Sequence, residues 1–167
     1  MGRDGQGHAA AAFLLSLISA AADTTVTRLM DEPFELRVGL DVAVIADVAA
    51  SIERFGDRYR LRLFTPHELG CCTGTPEVVA AGLAARFAAK EATLKVLRPT
   101  AVTPEWTTME VRRTSGGWCT IGLTGGAARL AEESGIADLS VSFSHEAGLA
   151  IAIVVGVCRP GPGQAAN

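Results

Sequence analysis

Lysine is nearly absent from this chain. Its 167 residues include 15 lysines and arginines, and all but two of these are arginine. Lys90 and Lys95 lie five residues apart in the segment RFAAKEATLK, on either side of Glu91. A lysine ammonium is compact, sits on a flexible stem and shifts its pKa readily on burial, which an arginine guanidinium does not. The placement of the two lysines therefore indicates a particular role for this segment.

An excess of positive charge is also absent. The net charge is −3 and the isoelectric point is about 5.6. General nucleic-acid binders normally carry a basic patch, so these values argue against that class of protein.

Closely spaced pairs of cysteines are absent as well. None of the four cysteines forms a CxxC pair, which argues against a zinc ribbon and a thioredoxin-like centre. They are Cys71, Cys72, Cys119 and Cys158. We expect free thiols in a reducing compartment, and therefore a cytoplasmic protein.

A long hydrophobic run is missing too. The apolar stretch at 9–22 is too short to span a membrane. The segment before it has no net positive charge, which disfavours a secretory signal. We predict that residues 1–34 form an N-terminal extension, and we keep a secreted binding domain as a minor alternative.

The first half of the domain alternates apolar segments with helix signals. A buried strand is predicted at 36–45 and a short helix at 46–56. The alternation in YRLRLF predicts a strand that places Arg58, Arg60 and Arg62 on one face. Thr65 and Thr75 then each precede a proline, which predicts two helix starts, the second opening a long helix that ends at Leu97.

The second half contains two predicted hairpins, one turning at 115–117 and the other at 146–148, with a helix between them. Residues 159–167 are rich in proline, glycine and glutamine and are predicted to be disordered. The order of strands and helices predicts an α+β fold with an antiparallel sheet and a long helix, in one domain at 35–158.

Asp41 stands out because it interrupts an apolar strand. A buried carboxylate is costly unless it is paired, hydrogen-bonded or bound to a metal. Asp41 is therefore a candidate ligand, with capping of the following helix as the alternative.

Glu91 has two readings. It precedes Lys95 by four residues, the favourable order for an exposed helical ion pair. The rarity of lysine favours a second reading, in which Arg86, Lys90 and Lys95 serve a phosphate-rich ligand. Among these cations Glu91 is expected to keep a low pKa and to bind Mg²⁺ through oxygen.

His145 is a further candidate, at the end of a predicted strand beside Ser144. There it faces either solvent or a pocket, and the residues alone do not separate the two.

Four blocks, in this order and spacing, resemble the holo-acyl-carrier-protein synthase family of small 4'-phosphopantetheinyl transferases. They are VGLDVAVIADV at 38–48, RFAAKEATLKVL at 86–97, TMEV at 108–111 and VSFSHE at 141–146. The resemblance implies transfer of 4'-phosphopantetheine from coenzyme A to a serine of an apo acyl or peptidyl carrier protein, in fatty acid or polyketide biosynthesis, with release of 3',5'-ADP.

The resemblance also implies roles for single residues. Asp41 and Glu91 match the two acids that hold Mg²⁺, and Lys95 matches the lysine near the phosphates and the reacting centre. Two further positions, Arg86 and Lys90, match cations that serve coenzyme A phosphates or hold the helix in place. Ser144 and His145 match the block that helps bind the nucleotide. The small, single-lobe members are usually trimers with sites between subunits, so we expect a homotrimer.

Three departures from the family pattern keep another function open. Leu40 replaces a small residue that is often threonine, and the loop at 98–106 carries two prolines where glycines are common. Asp47 also lies in the first helix, where basic residues often meet the carrier. The alternative is a non-catalytic homologue that binds a carrier protein or coenzyme A.

Overall fold

The computed structural model describes residues 34–159. The predicted extension and tail lie outside the described residues, apart from one residue of each. The elements are β1 (Glu35–Val44), α1 (Ile45–Phe55), α2 (Asp57–Leu63), α3 (Pro66–Cys71), α4 (Pro76–Leu97), a 3-10 turn (Trp106–Thr108), β2 (Met109–Arg113), β3 (Cys119–Leu123), α5 (Gly125–Glu133), β4 (Ile136–Glu146) and β5 (Leu149–Cys158).

The strands form two antiparallel sheets. The larger has the order β1-β5-β4, and the smaller is the β2-β3 hairpin. In the larger sheet Asp41 on β1 pairs with Ala152 on β5, which pairs in turn with Phe143 on β4. Both predicted hairpins and the α+β class are confirmed, with two sheets where the sequence predicted one.

Helix α4 packs across the larger sheet. Thr75 caps its first turn with a side-chain oxygen, Pro76 stands at the first helical position, and the helix runs for 22 residues. The buried face of α4 is rich in alanine, which lets the helix approach the strands closely. These alanines, each at most 2% exposed, include Ala84, Ala85, Ala88, Ala89 and Ala92. Within residues 34–159, no helix is both long enough and apolar enough to cross a bilayer.

The segment predicted as a strand at 59–64 belongs instead to α2, apart from its last residue, Phe64, which caps that helix. Gly56 breaks the preceding helix with φ 53°, and Asp57 then opens a new helix and pairs with Arg60 at 3.3 Å. An alternation of only six residues is too short to exclude a helix. Arg58 and Arg62, four residues apart, lie on one side of α2, while Arg60 lies on another. The prediction that all three arginines lie on one face is therefore wrong.

A buried ion pair joins α3 to α4. Glu68 and Lys90 are 0% and 1% exposed, and Lys90 Nζ lies 2.7 Å from Glu68 Oε2. The same oxygen accepts the backbone N–H of Thr65 at 2.9 Å, which completes a capping box around α3. The other oxygen accepts the N–H of Val111 on β2 at 3.0 Å.

Lys90 satisfies its remaining protons with backbone oxygens. Its ammonium donates to the carbonyl of Leu63 at 2.6 Å and to that of Trp106 at 3.0 Å. With Glu68, these bonds connect α4 to the end of α2, to α3 and to the 3-10 turn. Burial lowers the pKa of Lys90, although the Glu68 carboxylate acts in the opposite direction.

The two lysines make a matched pair for a stability test. Lys90→Met leaves the Glu68 carboxylate buried without its cation, so we expect a loss of about 3–5 kcal/mol in the free energy of unfolding. Lys95→Met removes a half-exposed ammonium, and we expect it to cost less than about 1 kcal/mol. Urea unfolding followed by circular dichroism measures both. Equal losses would mean that the buried pair contributes no more than the exposed one.

Candidate functional site

Asp41, Glu91 and Lys95 come together where α4 crosses β1. Lys95 Nζ donates to Asp41 Oδ1 at 2.9 Å and to the backbone carbonyl of Leu40 at 2.6 Å. Asp41 lies on the face of β1 that α4 covers, and its side chain is 20% exposed. The cluster is therefore open to solvent along one side and held by both elements.

The alternative role for Asp41, as a helix cap, does not apply. The N-cap residue of α1 is Val44, and no side chain caps that helix. Asp41 sits three residues earlier, within the β1 ladder opposite Ala152. Its partner is the ammonium of Lys95.

Lys95 pairs with Asp41 on β1, and the alternative helical ion pair between Glu91 and Lys95 is not formed. The predicted low pKa of Glu91 is also wrong. Burial raises the pKa of Glu91, the negative charge of Asp41 raises it further, and Lys95 lowers it. The sequence interpretation counted three nearby cations, and one of them, Lys90, points into the protein.

Lys90 does not serve as a coenzyme A contact in this structure. Its ammonium has three acceptors inside the protein, Glu68, Leu63 and Trp106. An ammonium has three protons, so none is left for a phosphate. Of the two roles expected for Lys90, the structure favours holding the helix in place.

Arg86 is directed away from the cluster. It precedes Glu91 by five residues, which is about 140° around a helix. Its Nη1 donates to the carbonyl of Gly82 at 3.1 Å, and its charge opposes the rise that burial causes in the pKa of the Cys72 thiol. Its role toward a phosphate stays a prediction.

Ser144 and His145 are exposed and adjacent on β4. Neighbouring residues of a strand point to opposite faces of the sheet. Ser144 pairs with Ile151 and His145 with Ala150, so only His145 lies on the face that α4 covers. The two side chains do not line one surface of this chain, and their contact with a nucleotide stays a prediction.

The sequence did not single out two features of this region. They are the pairing of Lys90 with Glu68 and the hydrogen bond from Lys95 to the carbonyl of Leu40. A lysine in an alanine-rich helix is a signal that a buried carboxylate lies nearby, but the sequence does not tell which one.

The donor set at the cluster suits a hard cation. Asp41 and Glu91 supply oxygen, and no group of three or more His, Cys, Asp or Glu side chains fit for a metal occurs among the described residues. Mg²⁺ is commonly bound by one or two carboxylates together with waters and substrate phosphates, whereas a closed protein cage is less usual. Two carboxylates beside a lysine therefore fit Mg²⁺ that is shared with a phosphate-bearing substrate.

Comparison with known proteins gives a consistent result. The family described as the 4'-phosphopantetheinyl transferase superfamily matches residues 37–154. A holo-[acyl-carrier-protein] synthase of Desulforudis audaxviator is 38% identical over 122 residues, which cover 73% of this chain and 92% of that protein. One from Streptomyces coelicolor is 43% identical over 118 residues, which cover 71% of this chain and 94% of that protein.

A solved structure shares the fold. A complex of this type of synthase with coenzyme A, from Chronobacterium ammoniagenes, aligns with a TM-score of 0.67 and 27% identity. The alignment covers 76% of this chain and 99% of the other.

The mutual influence of the two acids can be tested by titration. Asp41→Asn removes a neighbouring negative charge, so we expect the pKa of Glu91 to fall toward its usual value while burial keeps it raised. A carboxyl group whose pKa is raised by folding stabilises the fold at low pH, and this stabilisation is lost as the pH rises through the raised pKa. Asp41→Asn should therefore also reduce the loss of stability that Glu91 causes as the pH rises. Carbon-detected NMR of the Glu91 carboxyl measures the change. Asp47→Asn, in the exposed first turn of α1, is the control. An unchanged Glu91 pKa in Asp41→Asn would show that the two acids do not interact.

Proposed function

Because the chain belongs to the 4'-phosphopantetheinyl transferase superfamily, as a relative of the holo-[acyl-carrier-protein] synthases, it is a 4'-phosphopantetheinyl transferase, and we propose that Asp41, Glu91 and Lys95 form its active site. The enzyme transfers phosphopantetheine from coenzyme A to an apo carrier protein. The observation that carries the site assignment is the meeting of these three side chains where α4 crosses β1.

Asp41 and Glu91 are the proposed holders of Mg²⁺. The ion, when bound, supplies positive charge against the pyrophosphate of coenzyme A. Two protein carboxylates leave the rest of the coordination to phosphate oxygens and water. We therefore expect metal and coenzyme A to bind cooperatively.

The reaction requires in-line displacement at phosphorus. The serine oxygen of the carrier forms a bond to the β-phosphorus, the bond from that phosphorus to the bridging oxygen breaks, and 3',5'-ADP leaves with the electron pair. Lys95 is placed to neutralise charge that develops on the leaving group. The serine proton passes to a base, and Glu91 acting through a water is one candidate, because a carboxylate can serve as a general base.

The other residues predicted to contact coenzyme A are Ser144, His145 and Arg86. Ser144 and His145 point to opposite faces of the sheet, so in one subunit they cannot hold the same ligand side by side. A site between subunits removes this conflict, because each residue then faces a different bound coenzyme A. Arg86 would need to change its bond to Gly82 in order to reach a phosphate.

We propose that three copies associate through the open face of the larger sheet. Alternate residues of β1 and β5 point away from α4, and all are large and apolar. They are Leu36, Val38, Leu40, Val42 and Val44, between 44% and 60% exposed, with Leu149, Ile151 and Ile153, between 38% and 45% exposed. An apolar surface of this extent is unusual on a monomer and is typical of an interface.

The carrier protein is the other partner, and the outer surface of α1 and α2 is its proposed docking site. Arg54 lies in the last turn of α1, and Arg58 and Arg62 line a hollow together with Phe55 and Tyr59. Arginines interleaved with aromatic rings suit an acidic partner with apolar anchors. Asp47 near the start of α1 would repel an acidic helix and so favour some carriers over others.

The proposed location of the enzyme is the cytoplasm, a reducing compartment that suits its four free cysteines.

Transfer itself is the decisive test. Incubation with coenzyme A, Mg²⁺ and a panel of apo carrier proteins should add the mass of phosphopantetheine to at least one carrier, as measured by intact-mass spectrometry. Glu91→Gln removes a proposed metal ligand, and we expect at least about 100-fold slower transfer. Glu77→Gln, at the exposed start of the same helix, is the matched control and should leave the rate unchanged.

Two results would contradict the proposal. If Glu91→Gln transfers as fast as the wild type, the assigned site is wrong. If no carrier in a broad panel gains mass, while carriers bind the protein with or without Glu91, the chain is a non-catalytic binding homologue.

The proposed trimer is tested at the centre of the sheet face. Light scattering should give three times the mass of one chain, and Ile151→Asp should give a monomer because it places a charge in the apolar interface. Val102→Asp, at a residue 81% exposed in the loop before the 3-10 turn, should remain a trimer. A wild-type monomer with full transfer activity would refute the trimer.

A further inference from the structure

Helix α4 approaches the sheet closely at Gly39 on β1. A Cβ at this position would lie 2.9 Å from the carbonyl carbon of Ala92 and 3.2 Å from Lys95 Cβ, with the carbonyl oxygen of Ala92 nearer still. Ala92 is fully buried. The helix backbone therefore contacts the strand directly at Gly39, the one residue of β1 that has no side chain.

A second glycine under the same helix differs in what it contacts. At Gly156 on β5, a Cβ would meet Val96 Cγ1 at 2.5 Å and Leu139 Cδ2 at 3.3 Å. Both are ends of side chains, which can turn or shift. At Gly39 the obstacle is the backbone of α4, so no rotamer change can relieve it and the helix itself must move.

The contact at Gly39 lies within the proposed active site. Gly39 and Asp41 are two residues apart and face the same side of the strand, while Glu91 and Lys95 flank Ala92 on the helix. Lys95, on the helix, bonds twice to the strand at this junction, through the carbonyl of Leu40 and the carboxylate of Asp41. Any movement of α4 away from Gly39 therefore separates the strand acid from the helix acid and the lysine.

We infer that Gly39 is a positioning residue for the divalent cation: the lack of a side chain there sets the spacing between Asp41 on β1 and Glu91 on α4. This inference rests on the proposed function, since it assumes that the two acids share one ion. Gly39 contacts neither substrate nor metal. It acts through the placement of the helix backbone.

The test compares Gly39→Ala with Gly156→Ala. Both variants add one methyl group under α4, and both lose stability through overpacking. We expect Gly39→Ala to bind Mn²⁺, used as a paramagnetic probe, about 10- to 100-fold more weakly, the range found when groups that orient metal ligands are lost. Gly156→Ala should bind Mn²⁺ within about threefold of the wild type, since a shift of the Val96 and Leu139 side chains leaves the acids in place.

Electron paramagnetic resonance of free and bound Mn²⁺ measures affinity on protein without coenzyme A, and urea unfolding of the same samples measures stability. A purely structural role for Gly39 would lower stability in both variants and leave their Mn²⁺ affinities alike. If Gly39→Ala does not fold, Ala92→Val adds bulk at the helix residue in contact with Gly39 and tests the same spacing, with the same expected loss of Mn²⁺ affinity.

The outcomes separate this inference from the proposed site. If Glu91→Gln abolishes Mn²⁺ binding and Gly39→Ala leaves it unchanged, the positioning role of Gly39 is refuted and the metal site stands. Equal weakening in Gly39→Ala and Gly156→Ala refutes the positioning role as well. If wild-type protein binds no Mn²⁺ through Glu91, either alone or with coenzyme A present, the metal site is wrong, and the inference falls with it.

Discussion

The packing of α4 against β1 and β5 is the constraint on which the rest of the structure depends. The helix presents alanines to the sheet, and the strands present Gly39, Ala152 and Gly156 at the facing positions. Small residues on both sides bring the two backbones close together, so the helix has little freedom to slide or tilt. That rigidity matters for the proposed site, because one of its two acids is on the strand and the other is on the helix.

The two lysines act on this helix from opposite sides. The buried Lys90 links α4 to α3 through Glu68, and the half-exposed Lys95 links α4 to β1 through Asp41. Five residues correspond to about 140° of rotation, so on a regular helix the two ammonium groups had to point in different directions. The same chemistry, an ammonium that donates three hydrogen bonds, thus stabilises the fold at one position and serves the site at the other.

The sequence indicated the three residues of the proposed site, and it missed several features around them. Asp41, Glu91 and Lys95 follow from an acid in an apolar strand and from the KEATLK segment, and the comparisons confirm the family that this resemblance indicated. The inward direction of Lys90 depended on Glu68, 22 residues earlier, and no local pattern links such a pair. The helix at 57–63 was missed because polar and apolar residues alternate there over too short a segment. The pKa of Glu91 was missed because burial, a tertiary property, outweighs the charges that the sequence places nearby.

The alternation along β1 links assembly to catalysis. Gly39, Asp41 and Ala43 face α4, while Leu40 and Val42 between them face outward at about half exposure. If the outward residues are covered by neighbouring copies, the strand is fixed on both faces, and Asp41 is held by the interface as well as by Lys95. A two-carboxylate metal site has few internal bonds to define it, so it gains most from such support. With the proposed interface on one face of β1 and the proposed site on the other, assembly would make the site more rigid without adding residues to it.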